Sequence, residues 1–227
     1  VEVKDSLLVF DMDGVLAEVG DSYRETIVQT VAHFTGQQVQ RERIQDYKNQ
    51  GGWNNDWALS QRLCQDLGVD VPYEDVIERF NLIFLGDDFN GLILKEQWVP
   101  RNGLLERLSE RYDLSIFTGR PLEDAAHTLR RFASGLVFSP MITMESVTEH
   151  KPAPQGLHLI RAERPGAKMF YVGDTVDDAR SARAAGVPFI GIAAPANPRH
   201  AELVDVLRSE AAIAVLDDIN QLEGVLP

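Results

Sequence analysis

Asp11 and Asp13 have the plainest chemical potential in the chain, because they close the apolar run Leu7-Leu8-Val9-Phe10 just before Gly14. A short apolar run ended by a turn signal predicts a fully buried strand. Two carboxylates at the mouth of such a strand are costly unless a cation or a reaction uses them. Three later clusters share this placement. Thr118-Gly119-Arg120 follows the run Leu114-Ser115-Ile116-Phe117, Lys151-Pro152 follows a strand expected within 136–143, and Gly173-Asp174-Thr175-Val176-Asp177-Asp178 follows Met169-Phe170-Tyr171-Val172. On a parallel sheet all four clusters converge on the carboxyl edge of the strands. Together they supply several carboxylates, a hydroxyl, an ammonium and a glycine turn, an inventory that suits phosphoryl transfer. A carboxylate attacks phosphorus to form an aspartyl-phosphate that water then cleaves, and a second carboxylate moves the protons. Nucleophile and phosphate repel each other, so a hard divalent cation is required, and carboxylate and water oxygens are what Mg²⁺ prefers. A lysine and a hydroxyl then hold the phosphate oxygens.

The elements that must position these residues fall into two textures. From about Asp21 to Phe89 the pattern is helical, with no convincing strand. Ser22-Tyr23-Arg24-Glu25 matches a capping box, and Tyr23, Ile27, Val31 and Phe34 recur at helical spacing up to Gly36. A polar stretch from Gln37 to Lys48 follows, then stripes at Leu59, Leu63 and Leu67 and at Val76, Phe80 and Ile83. From Trp98 strands and helices alternate, which predicts an α/β fold with a parallel sheet. Helical spacing at Leu104, Leu105 and Leu108, at Leu122, Ala126 and Leu129, at Leu157 and Ile160, and over 177–185 separates the strands, with further strands at Phe189-Ile190-Gly191-Ile192 and Ile213-Ala214-Val215-Leu216. Pro140 interrupts the 136–143 strand and leaves its limits poorly determined. The helical block is therefore expected to be inserted after the first strand: residues 1–16 and 97–227 form the sheet domain and 17–96 the helical one.

Composition narrows the function classes. The formal net charge of −13, from 22 Lys and Arg against 35 Asp and Glu, opposes a broad grip on nucleic acid or anionic membrane. No run approaches the roughly 18 apolar residues of a membrane span, and the N-terminus shows no signal-peptide pattern. The single Cys64 excludes an internal disulfide framework, so a cytoplasmic setting is expected. Its place beside Leu63 makes it a small buried hydrophobe.

The four clusters in this order resemble the haloacid dehalogenase superfamily, specifically phosphatase-like members of its subfamily I with a helical cap inserted after the first strand. The resemblance is carried by Asp11-Met12-Asp13-Gly14, Thr118-Gly119, Lys151-Pro152 and Gly173-Asp174 with Asp178, and it covers nearly the whole chain. It implies a Rossmann-like core and a Mg²⁺-dependent phosphatase acting on a small phosphorylated metabolite. It also implies roles. Asp11 is the nucleophile and a metal ligand, and Asp13 is the general acid/base, its backbone carbonyl facing the metal. Thr118 and the Gly119 amide bind the transferring phosphate, and Lys151 bridges that phosphate and Asp11. Asp174 is a direct metal ligand; Asp178 acts through water or by orienting its neighbours. The inserted helices become a lid that excludes water and selects the substrate.

Other positions admit two readings. Arg120 either reaches the substrate or pairs with Glu123 or Asp124 at a helix start. Asp177 is expected to be a solvated acid in the first turn of its helix, and His150 an exposed loop residue without a role. The stretch Gly51-Gly52-Trp53-Asn54-Asn55-Asp56-Trp57 is either a substrate-selecting loop, with Asn54 as the contact, or a turn with Asn55 or Asp56 as an N-cap and packed tryptophans. A phosphomutase shares the first half-reaction, whereas dehalogenation does not need the group at Asp13. A receiver-like signalling module is disfavoured by the 17–96 insertion and by the early position of the attacking aspartate. An inactive binding protein is disfavoured because no catalytic position is missing. Substrate identity and the choice between monomer and homodimer are not written in the sequence.

Overall fold

The computed structural model describes residues 4–227. In chain order the strands and helices are β1 (Ser6–Phe10), β2 (Ala17–Glu18), α1 (Tyr23–Thr35), α2 (Arg41–Gln50), α3 (Asp56–Asp66), α4 (Tyr73–Phe84), β3 (Gln97–Trp98), α5 (Leu104–Arg111), β4 (Asp113–Phe117), α6 (Leu122–Phe132), β5 (Phe138–Ile142), α7 (Gln155–Glu163), β6 (Lys168–Gly173), α8 (Val176–Ala185), β7 (Phe189–Ile192), α9 (His200–Ser209) and β8 (Ala214–Leu216). The chain divides into two compact units, Val1–Ala17 with Trp98–Pro227, and Glu18–Gln97. β2 and β3 pair with each other where the chain passes from one unit to the other and back.

The first unit is the expected α/β fold. Its six strands run in the order β5-β4-β1-β6-β7-β8, and every pair along it is parallel. Alternation along β1 explains its unbroken apolar sequence, since successive side chains point to opposite faces and both faces are covered. Leu8 and Phe10 join a core with α5 and α6 through Leu104, Leu105, Leu108 and Ala125. Leu7 and Val9 join another with α7, α8 and α9 through Leu157, Ala179, Ala182 and Leu207. The chain builds outward from β1 in one direction through β4 and β5, then restarts on its other side at β6. That reversal makes the carboxyl ends of β1 and β6 the switch point where open α/β sheets bind ligands. Pro140 sits in the edge strand β5, and its carbonyl accepts from the Ser115 hydroxyl of β4 at 2.5 Å. The register shifts there, with Leu114 opposite Phe138 but Ile116 opposite Met141.

The second unit consists of α1–α4 and the 3-10 turn Leu92–Lys95. α1 packs against α3 and α4, with the Tyr23 ring 4.0 Å from that of Phe84 and 6.0 Å from that of Phe80. One local expectation needs correction, and two stretches are specified further. The polar stretch 37–48 contains most of α2, whose buried face is half polar, made of Ile44, Gln45, Tyr47 and Lys48; an apolar stripe was therefore missing from the sequence. Lys48 is held there by Asp56, 2.5 Å away. The capping box at Ser22 does not form, because the residue takes φ −113° and ψ −94° and its side chain makes no capping bond. Glu25 instead accepts from Gln29 and Arg41. In the 51–57 stretch Asn55 caps α3, accepting from the Trp57 and Ala58 amides at 2.9 and 3.0 Å. Trp53 lies edge-on to Tyr47 at 5.0 Å. Gly51 and Gly52 both take positive φ, 83° and 82°, which side chains beyond glycine rarely adopt. The Asn54 side chain makes no hydrogen bond among the described residues, in contrast to Asn55. Cys64 is fully buried, and burial pushes its thiol up to about 11.

Candidate active site

β1 delivers Asp11 to the switch point by continuing its ladder one residue further, with the Asp11 amide donating to the Val172 carbonyl at 2.9 Å. The next residues coil into a tight turn in which the amides of Val15, Leu16 and Ala17 all point at the Met12 carbonyl. Gly14 occupies this turn at φ 71°, and a Cβ there would lie 2.0 Å from Asp174 Oδ2. Only glycine lets the β1 turn and the β6 turn approach so closely. Asp11, Asp174 and Asp178 accordingly each offer a carboxylate oxygen within 4.8 Å of the others.

Lys151 enters this cluster from the segment between β5 and α7, and its ammonium lies 3.1 Å from Asp11 Oδ1 and 2.7 Å from Asp178 Oδ1. It rests over the rings of Phe117 and Tyr171, at 4.9 and 5.6 Å from their centroids. Asp178 is the most fully engaged acid. Its Oδ1 accepts from the Tyr171 hydroxyl at 2.5 Å, and its Oδ2 accepts from the Thr175 amide and hydroxyl at 3.0 and 2.6 Å. Thr175 and Asp178 thereby form a reciprocal capping box at the start of α8.

These contacts separate the acids electrostatically. Burial pushes the Asp11 carboxyl up to about 7; Lys151 pulls it down, while Asp178 and Asp13 push it up again. Asp178 is also fully buried, yet Lys151 and the hydrogen bonds from Thr175 and Tyr171 hold it below the ordinary carboxylate range. Burial alone would lower Lys151, but the charges of Asp11 and Asp178 raise it, so it stays an ammonium. Burial, then the nearby carboxylates, drive the Tyr171 hydroxyl well above its usual range, which keeps it a donor. Asp11 and Asp178 share the Lys151 ammonium, and Asp174 brings a third carboxylate oxygen within 4.8 Å of theirs. The donors are all oxygen, and the glycine cradle brings Asp174 onto Asp11. This is a set that fits a hard divalent cation.

The remaining expected residues stand around this cluster. Thr118 is buried at the end of β4, and its hydroxyl accepts from the Arg120 amide at 3.2 Å. Gly119 is half-buried beside it. Arg120 turns inward rather than outward: its guanidinium lies on Asp13 Oδ1, 2.5 Å away, and on Thr128. Asp13 thus sits outside the three-carboxylate cluster. Asp177 is not the solvated acid expected, being 2% exposed, and His150 is exposed as expected. Asn54 belongs to the other unit. Tyr171, Thr175 and Thr128 were missed by sequence reasoning. The Thr175-to-Asp178 spacing was a readable capping signal; Tyr171 appeared only as a strand residue, and no local pattern marks Thr128.

Residues 8–192 match the family of haloacid dehalogenase-like hydrolases. The chain belongs to that family. Among curated relatives of this haloacid dehalogenase-like hydrolase, a Phytophthora nicotianae protein named imidazoleglycerol-phosphate dehydratase is 36% identical over 199 residues, covering 83% of this chain and 43% of its own length. This chain thus spans less than half of that relative. Phosphoglycolate phosphatase of Escherichia coli K12 is 25% identical over 177 residues, covering 72% of this chain and 68% of its own. Many solved structures share the fold, and two illustrate it. One is a predicted phosphoglycolate phosphatase of Haemophilus somnus, with TM-score 0.76, 17% identity and 97% of each chain covered. The other is a haloacid dehalogenase-like protein of Agrobacterium tumefaciens, with TM-score 0.70, 19% identity and coverage of 98% and 97%. No helix of the described residues is long and apolar enough to cross a membrane.

Proposed function

We propose that this hydrolase is a Mg²⁺-dependent phosphatase that cleaves a small phosphorylated metabolite through an aspartyl-phosphate on Asp11. The observation that carries the reading is the Lys151 ammonium set between Asp11 and Asp178, beside three carboxylates within 4.8 Å of one another. Asp11 and Asp174 would hold the cation, with the Asp13 carbonyl completing their side and Asp178 acting through water or by fixing Lys151. When bound, the cation neutralises charge on the phosphoryl oxygens and lowers the repulsion between phosphate and nucleophile. Thr118 and the Gly119 amide grip the transferring phosphate, and Lys151 binds its oxygens while keeping Asp11 oriented. Asp11 attacks phosphorus, and Asp13 protonates the leaving oxygen, then takes a proton from the water that frees Asp11. The inserted helices select the substrate, and Asn54, with its side chain unengaged, is the residue assigned to that task. The curated relatives named phosphoglycolate phosphatase make phosphoglycolate the first ester to test.

Phosphate release from a panel of phosphorylated metabolites, with Mg²⁺ and with chelator, tests this. Turnover is expected only with Mg²⁺, and Asp11→Asn is expected to lose about 10⁴-fold or more in kcat/KM with its fold intact. Normal turnover by that variant removes the nucleophile. Transfer of the phosphoryl group to a sugar phosphate in place of water would make the enzyme a phosphomutase. Asn54→Ala is expected to reorder the panel; an equal loss on every ester removes Asn54 from substrate selection.

A further inference from the structure

Arg120 is among the largest fully buried side chains of the protein. An arginine is rarely buried unless a partner holds it. Its Nε and Nη2 lie 2.7 and 2.5 Å from a single oxygen, Asp13 Oδ1. On the other side Nη1 donates to Thr128 Oγ1 at 2.8 Å, and Thr128 is fully buried on α6. The rigid planar guanidinium is therefore anchored behind by Thr128 and grips one oxygen in front. The exposures point the same way: the Arg120 side chain is 1% exposed and that of Asp13 27%. An arginine that served as a substrate ligand would present donors outward, whereas Nε, Nη1 and Nη2 are all engaged here. Asp13 Oδ2 takes no hydrogen bond among the described residues.

We propose that Arg120 is the positioning residue of Asp13, clamping Oδ1 so that Oδ2 is the oxygen that moves the proton. The inference rests on the phosphatase reading and deepens it. In the first half-reaction an Asp11 oxygen bonds to phosphorus as the bond from phosphorus to the leaving oxygen breaks. That oxygen keeps the electron pair and takes the proton from Asp13 Oδ2, leaving as a neutral alcohol. In the second, the water oxygen bonds to phosphorus, Asp11 recovers its carboxylate, and the water proton passes to Oδ2.

The test uses leaving groups that differ in their need for that proton. Phosphoglycolate and glycerol 3-phosphate expel basic alkoxides; 2,4-dinitrophenyl phosphate expels an anion that needs no proton. Because kcat/KM covers only the steps up to departure of the leaving group, it isolates the first half-reaction. Arg120→Met is expected to lower kcat/KM about 100-fold on the alkyl esters and less than about threefold on the dinitrophenyl ester. Thr128→Val, which removes only the rear anchor, is expected to show a smaller loss with the same selectivity, and it decides the matter if Arg120→Met does not fold. Equal losses on both ester types, a rise in KM at unchanged kcat, or no loss would each overturn the positioning role while leaving the phosphatase reading in place. A wild-type protein inert on all three esters with Mg²⁺ removes the phosphatase reading itself.

Discussion

The two ends of the central strands carry ionic clusters of opposite character. At the amino end Asp113 accepts from the Lys4 amide at 3.0 Å and from Arg164 Nη2 at 2.5 Å. The same guanidinium donates to the Lys4 carbonyl at 3.0 Å. Burial would raise Asp113, but the Lys4 amide and Arg164 outweigh it and hold the carboxyl below its ordinary range. At the carboxyl end, about 13 Å further along the strands, Asp11 and Asp178 share one ammonium, Asp174 brings a third carboxylate within 4.8 Å, and burial lifts Asp11 to about 7. One cluster sets a single carboxylate among cationic partners and ties Lys4, the start of β4 and the end of α7 together. The other gathers three carboxylates within a framework of glycine turns and capping bonds, with one ammonium on two of them. A carboxylate matched by its cationic partners serves the fold; carboxylates gathered in excess mark the candidate site.

Removing Lys151 puts the greatest strain on this contrast. Lys151→Met leaves Asp11 and Asp178 facing each other without their ammonium, and a loss of about 3–5 kcal/mol is expected in metal-free protein. Mg²⁺ should return part of it, as a larger rise in Tm than wild type shows. Denaturant unfolding with and without Mg²⁺ measures both, and an equal loss in the two conditions would break the comparison. Tyr171→Phe is expected to lower kcat/KM and Mg²⁺ affinity about tenfold, because Asp178 loses a donor that orients it. Isothermal titration reads the affinity; unchanged binding and turnover would confine Tyr171 to packing. Asp113→Asn is expected to cost about 1–2 kcal/mol at pH 7 with kcat/KM unchanged. The sign of its pH dependence follows from a depressed carboxyl: the stabilisation is complete above the ordinary value of 3.8 and is lost as pH falls through the lower folded value. Wild type and variant should therefore converge in acid, and a gap independent of pH would show that Asp113 acts through shape alone.

Much of the site was legible because its chemistry sits where strands end. Asp11, Thr118 and Asp174 each follow an apolar run, and in a parallel sheet that placement alone brings them to one edge. Lys151 was harder, since Pro140 blurs the strand before it, and the register shift opposite β4 is a property of the pairing. In the helical unit the stripes of α1, α3 and α4 were visible, while α2 was hidden because Gln45 and Lys48 take positions on its buried face. Ser22 shows the converse. The pattern of a capping box was present, and the backbone angles at that residue prevented its use.

What the sequence determined by itself was the class of fold, the order of the four clusters and the kind of chemistry their side chains allow. These depend on period, turn residues and residue type, all of which are local. Tertiary structure alone decided which partners surround each acid. Asp13 has its Arg120, Asp178 has Lys151, Tyr171 and Thr175, and Asp11 is left under the pull of Lys151 and the push of two neighbouring carboxylates. An aspartate's protonation and orientation are set by the charges and donors within a few ångströms of it. Asp13 and Arg120 are 107 residues apart in the chain and Lys151 and Asp178 27, so these pairings exist only once the chain has folded, whereas Thr175 and Tyr171 lie close to Asp178 in sequence.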